Sequence, residues 1–383
     1  MTDVTDIHRK EHGDSPDVVV SAPGVVNLVG THTEESGGLV LMCALDRRVT
    51  VALSKRPDTG LRFFAHDLGE RKRTQISAVK FRREDRWANY LKGVVYEIAR
   101  RGWTIRGVNV TVTGDVPTGI GLGSSIAMSA AFASAIAELF ELDMTYPDLV
   151  ECVTNVEGGF VGGCASPASV HAVFFSRPNA AFLFDATTYE YRPIPAALNH
   201  TRLIVADAGV RCAYDENEHR RRLEDGRTCM QVMQKINPQS NLRTCGLSEL
   251  EEPVHGLSET SRRRCKHIVM ENDLVKKAIV ALERGDLATL GRVLVGSHAS
   301  LRDLFEVSCP ELDWLVRHTC ETDGVYGSRL AGAGAASSVL TLLDIDALAR
   351  YRVRLGEYER IFGFSTSMYE CTLESGVRVH ERV

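Results

Sequence analysis

Residues 114–140, GDVPTGIGLGSSIAMSAAFASAIAELF, place a glycine-rich turn between a strand pattern and a helix pattern. Few arrangements accommodate all three. Upstream, Val108, Val110 and Val112 alternate with Asn109, Thr111 and Thr113, the period-2 signature of a strand with one buried face. Downstream, Ala127, Ala130, Ala131, Ala133, Ala135 and Ala137, with Ile136 and Leu139, are helix formers uninterrupted by Gly or Pro. Between them lie Pro117, Gly119, Ile120, Gly121, Leu122 and Gly123, with Ser124 and Ser125 at the predicted first turn of the helix. Glycines tolerate positive φ and close backbone approach, so several amide N–H groups can converge on one anion while the helix N-terminus adds partial positive charge. The stretch therefore predicts a phosphate cradle. It is not a Walker A loop, because no Gly-Lys-Ser/Thr follows the glycines, and a dinucleotide fingerprint would need Gly where Ser124 stands. The plainer reading is a glycine-rich connection that only lets a helix pack closely.

A chain of 383 residues is long enough for two domains with their own cores. A formal charge of -5 and 44% hydrophobic residues, with no basic stripe, leave nucleic acid out of the expected partners. The run Arg262, Arg263, Arg264 reads as a solvated face. Ten cysteines without CxxC or CxxH spacing argue against zinc and for free thiols in a reducing cytosol. No signal peptide and no bilayer-length apolar run are visible, so the expected location is cytoplasmic, with no membrane partner. Residues 1–16 read as a loose terminus and residues 225–262 as an irregular excursion.

The segment PTGIGLGSS, residues 117–125, resembles the PxxxGLGSS motif of the GHMP kinases, which include galactokinase and the homoserine, mevalonate and phosphomevalonate kinases. The resemblance implies that ATP phosphates lie on the backbone of Pro117 to Ser125 and that a hydroxyl of Ser124 or Ser125 faces magnesium. It also implies a two-domain α+β fold. Residues 17–200 would form the N-terminal, ribosomal-protein-S5-domain-2-like half, and residues 201–383 the C-terminal, ferredoxin-like half.

A second segment narrows the resemblance to galactokinase. Ala22, Pro23, Gly24, Val26, Asn27, Leu28, Gly30, His32, Thr33, Gly37, Gly38, Asp46, Arg47 and Arg48 match that family's sugar-binding signature. Trp87, Asn89, Tyr90, Lys92, Gly93 and Val94 resemble the helix before its phosphate loop, although an aromatic pair at this spacing is by itself more often core than ligand contact. Arg264, His267, Val269, Glu271 and Asn272, and the stretch from 297 to 316, follow its C-terminal half. The resemblance implies sugar contacts from His32, Glu34, Gly37, Gly38, Gly332 and Gly334.

The departures concentrate where chemistry would occur. Val25 stands for the family's Arg, Thr31 for Glu, Glu34 for Asp and Glu35 for Tyr. Aligned on Glu157, Phe160 and Gly162, the family's presumed base, an Asp, falls at Ser169, and no Asp or Glu lies between Glu157 and Asp185 to replace it. Cys212 and His219 replace a His and a sugar-facing Tyr, and Ala333, Ala335, Ala336 and Ser337 replace residues of a glycine-rich loop. Loss of a positioned base is worth about 10² to 10⁴ in rate, and loss of a charge donor about 10² to 10³. His32 and Glu34 are the nearest titratable groups that could substitute for the base. Three readings follow: a sugar kinase of altered specificity, a scaffold that binds ATP, a sugar or both with weak or no turnover and acts through a protein partner, and an interaction protein in which ligand binding has decayed. The intact loop and altered sugar segment favour the second.

Overall fold

The computed structural model describes residues 3–163, 166–198, 200–210, 216–236, 241–332 and 338–382. Two long apolar strands, β1 (Val18–Val29) and β2 (Leu39–Lys55), pair antiparallel and form the spine of the first sheet. The irregularity at Pro23 and Gly24 is absorbed within the ladder, so β1 runs unbroken through it. The sheet continues through β3 (Gly60–Ala65), β4 (Glu70–Gln75), β5 (Val108–Gly114), β6 (Ala180–Asp185) and β7 (Tyr191–Pro195). Helices α1 (Val4–His12), α2 (Ala88–Arg100), α3 (Ser124–Leu139), α4 (Tyr146–Asn155) and α5 (Pro167–Phe175) belong to this half. Helix α3 lies against β1 and β2 and is covered by α2, α4 and α5, which is why Ala127, Ala130, Ala131, Ala133, Ala135 and Phe132 are all buried.

The second half begins with β8 (Thr201–Asp207), then α6 (Glu216–Ile236), α7 (Leu247–Leu250), α8 (Glu259–Arg284), α9 (Leu287–Ser300) and α10 (Pro310–Cys320). It closes with β9 (Val325–Ala331), β10 (Ser338–Asp344), α11 (Leu348–Phe362) and β11 (Ser367–Cys371). The spatial order β11-β8-β10-β9, antiparallel throughout, gives the expected ferredoxin-like arrangement. A last strand, β12 (Arg378–Arg382), returns to pair with β1, so the chain ends on the sheet where it began. Arg48 holds this return by donating to the Ser375 and Gly376 carbonyls. Among the described residues no helix is long and apolar enough to cross a membrane.

Four expectations need correction. The N-terminal segment contains α1, whose Val4, Ile7 and His8 face inward at helical spacing. His8 bridges Thr111 and Ser54 at 3.0 Å each, and burial pushes its pKa down to about 4. Residues 225–236 are helical, the last turns of α6. The thiols are not all free: α6 packs on α8 and brings Cys229 and Cys265, 36 positions apart, into a disulfide. Only Arg262 and Arg263 of the basic run remain accessible; Arg264 is buried, ion-paired with Glu218 and Asp225.

Candidate active site

Strand β5 delivers the chain to the loop, and the loop feeds α3. Gly119, Gly121 and Gly123 adopt φ of 78°, 81° and 64°, a region costly for residues with a Cβ. At Gly123 a Cβ would also lie 2.9 Å from Val25 Cγ2. Gly123 is the N-cap of α3 and supplies no side-chain acceptor, so the first-turn amides keep their donor capacity. The loop is anchored from three directions. Asp115 accepts from the Arg48 amide at 2.8 Å and from Arg47 at 3.1 Å. The Val25 amide donates to the Leu122 carbonyl at 3.0 Å. Ser338, from the second sheet, donates to the Ile120 carbonyl at 2.6 Å.

The anchored loop separates two cavities. The first, of about 560 Å³, is bordered by Thr118, Gly119 and residues 121–125, with Trp87 and Tyr90 of the preceding segment. The aromatic pair is thus cavity wall rather than pure core, with Trp87 steadied by donating to Glu70 at 2.9 Å. Ile120 is buried in the core and Pro117 does not face the cavity, so these two shape the loop from behind. Ser125 donates to Glu157 at 3.3 Å. Burial pushes the Glu157 carboxyl up to about 7 against the pull of the Ser125 hydroxyl, and its Oε1 is buried without a hydrogen-bond partner among the described residues. Sequence reasoning used Glu157 only to align a segment; its signal was a lone carboxylate in an otherwise apolar and glycine-rich run.

The second cavity, of about 290 Å³, shares Gly121 and Gly123 with the first. Val25, Thr31, His32, Glu34, Glu35, Ser169 and Gly332 all line it, so the four altered positions of the β1–β2 segment meet Ser169 of α5 in one place. Gly37 and Gly38 do not: a Cβ at Gly37 would meet Thr187, and one at Gly38 would meet Thr33, so their small size serves the turn. Gly334, Ala333, Ala335, Ala336, Ser337, Cys212 and the side chain of His219 lie outside the described residues.

Helix α8 holds the 30–39 loop from beneath. Glu271 accepts from the Gly30 and Thr31 amides at 2.8 and 3.0 Å, Asn272 accepts from the Leu39 amide at 2.8 Å, and His267 meets the Thr31 carbonyl at 3.0 Å. Fully buried Arg329 donates to the Thr31 hydroxyl at 2.6 Å. His32 has φ of 61° and stacks on Phe305 with ring centroids 4.2 Å apart. The Glu34 carboxylate enters the N-terminus of α5, accepting from the Ala168 amide at 2.8 Å and from the Ser166 hydroxyl at 2.9 Å. Glu35 instead pairs with Arg227 of α6 at 2.9 Å.

A glycine cradle at the start of a buried helix, beside an acceptor-sized cavity between two α+β halves, is the architecture of the GHMP kinases. Residues 89–176 match the GHMP kinase N-terminal domain and residues 278–352 the GHMP kinase C-terminal domain. A mevalonate kinase from Methanococcus jannaschii shares the fold at TM-score 0.69 and 14% identity, covering 95% of this chain and all of that one (100%). Residues 6–55 match the galactokinase galactose-binding signature. Galactokinases from Roseiflexus and Thermotoga maritima are each 33% identical, covering 96% and 94% of this chain and 94% and 99% of their own. The structure of Lactococcus lactis galactokinase complexed with galactose superposes at TM-score 0.90 with 26% identity, covering 98% of both chains. The chain belongs to the galactokinase family, a family of ATP-dependent sugar kinases.

Proposed function

We propose that this protein binds ATP with magnesium in the first cavity and a hexose of the galactose type in the second, and that it phosphorylates the sugar slowly. The support for binding is the loop: three left-handed glycines and an uncapped helix start present donors to an anion without help from side-chain charge. The residues present also suit magnesium. It favours oxygen ligands and is held by one or two protein groups together with substrate phosphates, and Ser125 with the unpartnered Glu157 Oε1 offers that set. Among the described residues no group of three His, Cys, Asp or Glu side chains is placed to hold a metal ion. When bound, the ion would neutralise charge on the phosphates.

The observation that carries slowness is the lining of the second cavity. Val25 brings a hydrocarbon against Gly123, and among the described residues no Lys or Arg lines the cavity to offset charge on a transferring phosphoryl group.

Calorimetric titration with magnesium-ATP and then galactose, beside a coupled kinase assay, tests this. The expected result is binding of both ligands with kcat at least about 10²-fold below the roughly 1 to 100 s⁻¹ of ordinary kinases. Turnover within that range would overturn slowness, and failure to bind either ligand would overturn the assignment of the cavities.

A further inference from the structure

Transfer of a phosphoryl group to a sugar hydroxyl releases one proton, and a positioned side chain that takes it speeds the step. Among the described residues three titratable side chains line the second cavity: His32, Glu34 and Glu35. The His32 ring is held face to face against Phe305. Glu35 is committed to Arg227 of α6, in a pair open to solvent. Glu34 differs from both. Its two oxygens each accept one hydrogen bond from the start of α5, from the Ala168 amide and the Ser166 hydroxyl. The carboxylate is therefore fastened one residue from Ser169, on the helix where a base is missing. Each oxygen keeps a further acceptor site, since an ionised carboxylate has about four.

We propose that Glu34 is the proton acceptor of this protein, reaching from the β1–β2 loop to the place that a side chain at position 169 would otherwise fill. The inference rests on the reading of the second cavity as the sugar site. Glu34 belongs to the β1–β2 loop, yet its carboxylate meets the start of α5. In the step, the sugar oxygen forms a bond to the γ-phosphorus while the bond from that phosphorus to the β,γ-bridging oxygen breaks. ADP departs with the bond's electron pair, and the hydroxyl proton passes to a Glu34 oxygen. Burial raises the Glu34 pKa, helped by the neighbouring Glu35 charge and opposed by the two α5 donors. A carboxylate so placed is a stronger base than one in water. Among the described residues the charged and titratable groups beside it are Glu35, the Arg227 paired with Glu35, and the His32 ring; the start of α5 presents a hydroxyl and an amide.

The test compares kcat, equilibrium galactose binding and thermal melting of the full-length wild type, Glu34→Gln, and Glu34→Gln combined with Ser169→Asp. The Gln variant keeps an oxygen acceptor for the Ala168 amide but cannot take the proton. Expected is a fall in kcat of about 10²-fold or more, with galactose affinity within a few-fold, and recovery of at least about tenfold in the double variant, which returns a carboxylate to the same helix. An unchanged kcat in Glu34→Gln, or a fall that Ser169→Asp does not recover, would leave Glu34 as a helix cap or sugar ligand and overturn the inference alone. Should Glu34→Gln melt below the assay temperature, the wild-type pH profile decides. Acid loss of kcat with an apparent pKa above the ordinary Glu value supports the proposal, and a flat acid limb overturns it. Wild-type protein that does not bind galactose would instead sink the parent reading, and this inference with it.

Discussion

The two cavities meet at Gly121 and Gly123, yet they are made of different material. The first presents backbone: glycines in left-handed conformations, helix-start amides and a loop anchored by Asp115, the Val25 amide and Ser338. The second presents side chains on a loop that α8 and Arg329 hold from behind. An anion grip built from main chain survives replacement of its neighbours, because amide donors do not depend on side-chain identity. A cavity built from side chains changes its chemistry with each substitution. Val25, Thr31, Glu34, Glu35 and Ser169 all lie on that side of the glycines.

The contrast can be broken or sharpened by exchange on either side. The largest effect is expected from Val25→Arg, which puts a cation beside Gly123: kcat with galactose should rise by about 10²-fold or more while the ATP Kd moves only a few-fold. No gain in a steady-state assay would mean that the proposed slowness does not originate at this position. Glu157→Ala should lower kcat by about 10²-fold and raise the magnesium concentration needed for half-maximal rate, as read from a metal titration. An unaltered magnesium curve would remove Glu157 from the proposed metal site.

Smaller effects are expected where only the backbone cradle is disturbed. Gly123→Ala forces a Cβ into a left-handed conformation and against Val25, at about 1 to 2 kcal/mol. ATP affinity should drop by about tenfold in calorimetry, with galactose affinity less affected. Ser338→Ala removes one tie between the second sheet and the Ile120 carbonyl, worth about 1 kcal/mol. A fewfold weaker ATP Kd is the expected reading, and an equal loss in galactose binding would show that the loop serves both cavities alike.

Much of the first cavity was legible in the chain because it is local. Strand, glycine loop and helix are consecutive, so period-2 alternation, three glycines and an alanine-rich run predict a cradle without knowledge of anything distant. The matched Asp46, Arg47 and Arg48 were visible as a motif, but their work was not: Arg47 and Arg48 hold Asp115 and Arg48 the returning chain end. His267, Glu271 and Asn272 are a similar case, matched in order yet acting on residues more than two hundred positions away. The disulfide, buried Arg264 and inward-facing His8 were misread for the same reason. Composition described each segment as it would stand alone in water.

Sequence alone determined that this chain has a glycine cradle opening a buried helix and a sugar-kinase framework with altered residues near the chemistry, since those are properties of neighbours along the backbone. Tertiary structure alone decided that Glu34 would end on α5 beside Ser169, that Glu157 would stand buried against Ser125, and that Gly37 and Gly38 would serve a turn. The physical reason is reach. A side chain spans only a few ångströms, so what it touches depends on how sheets and helices pack around it, and no spacing along the chain encodes that distance.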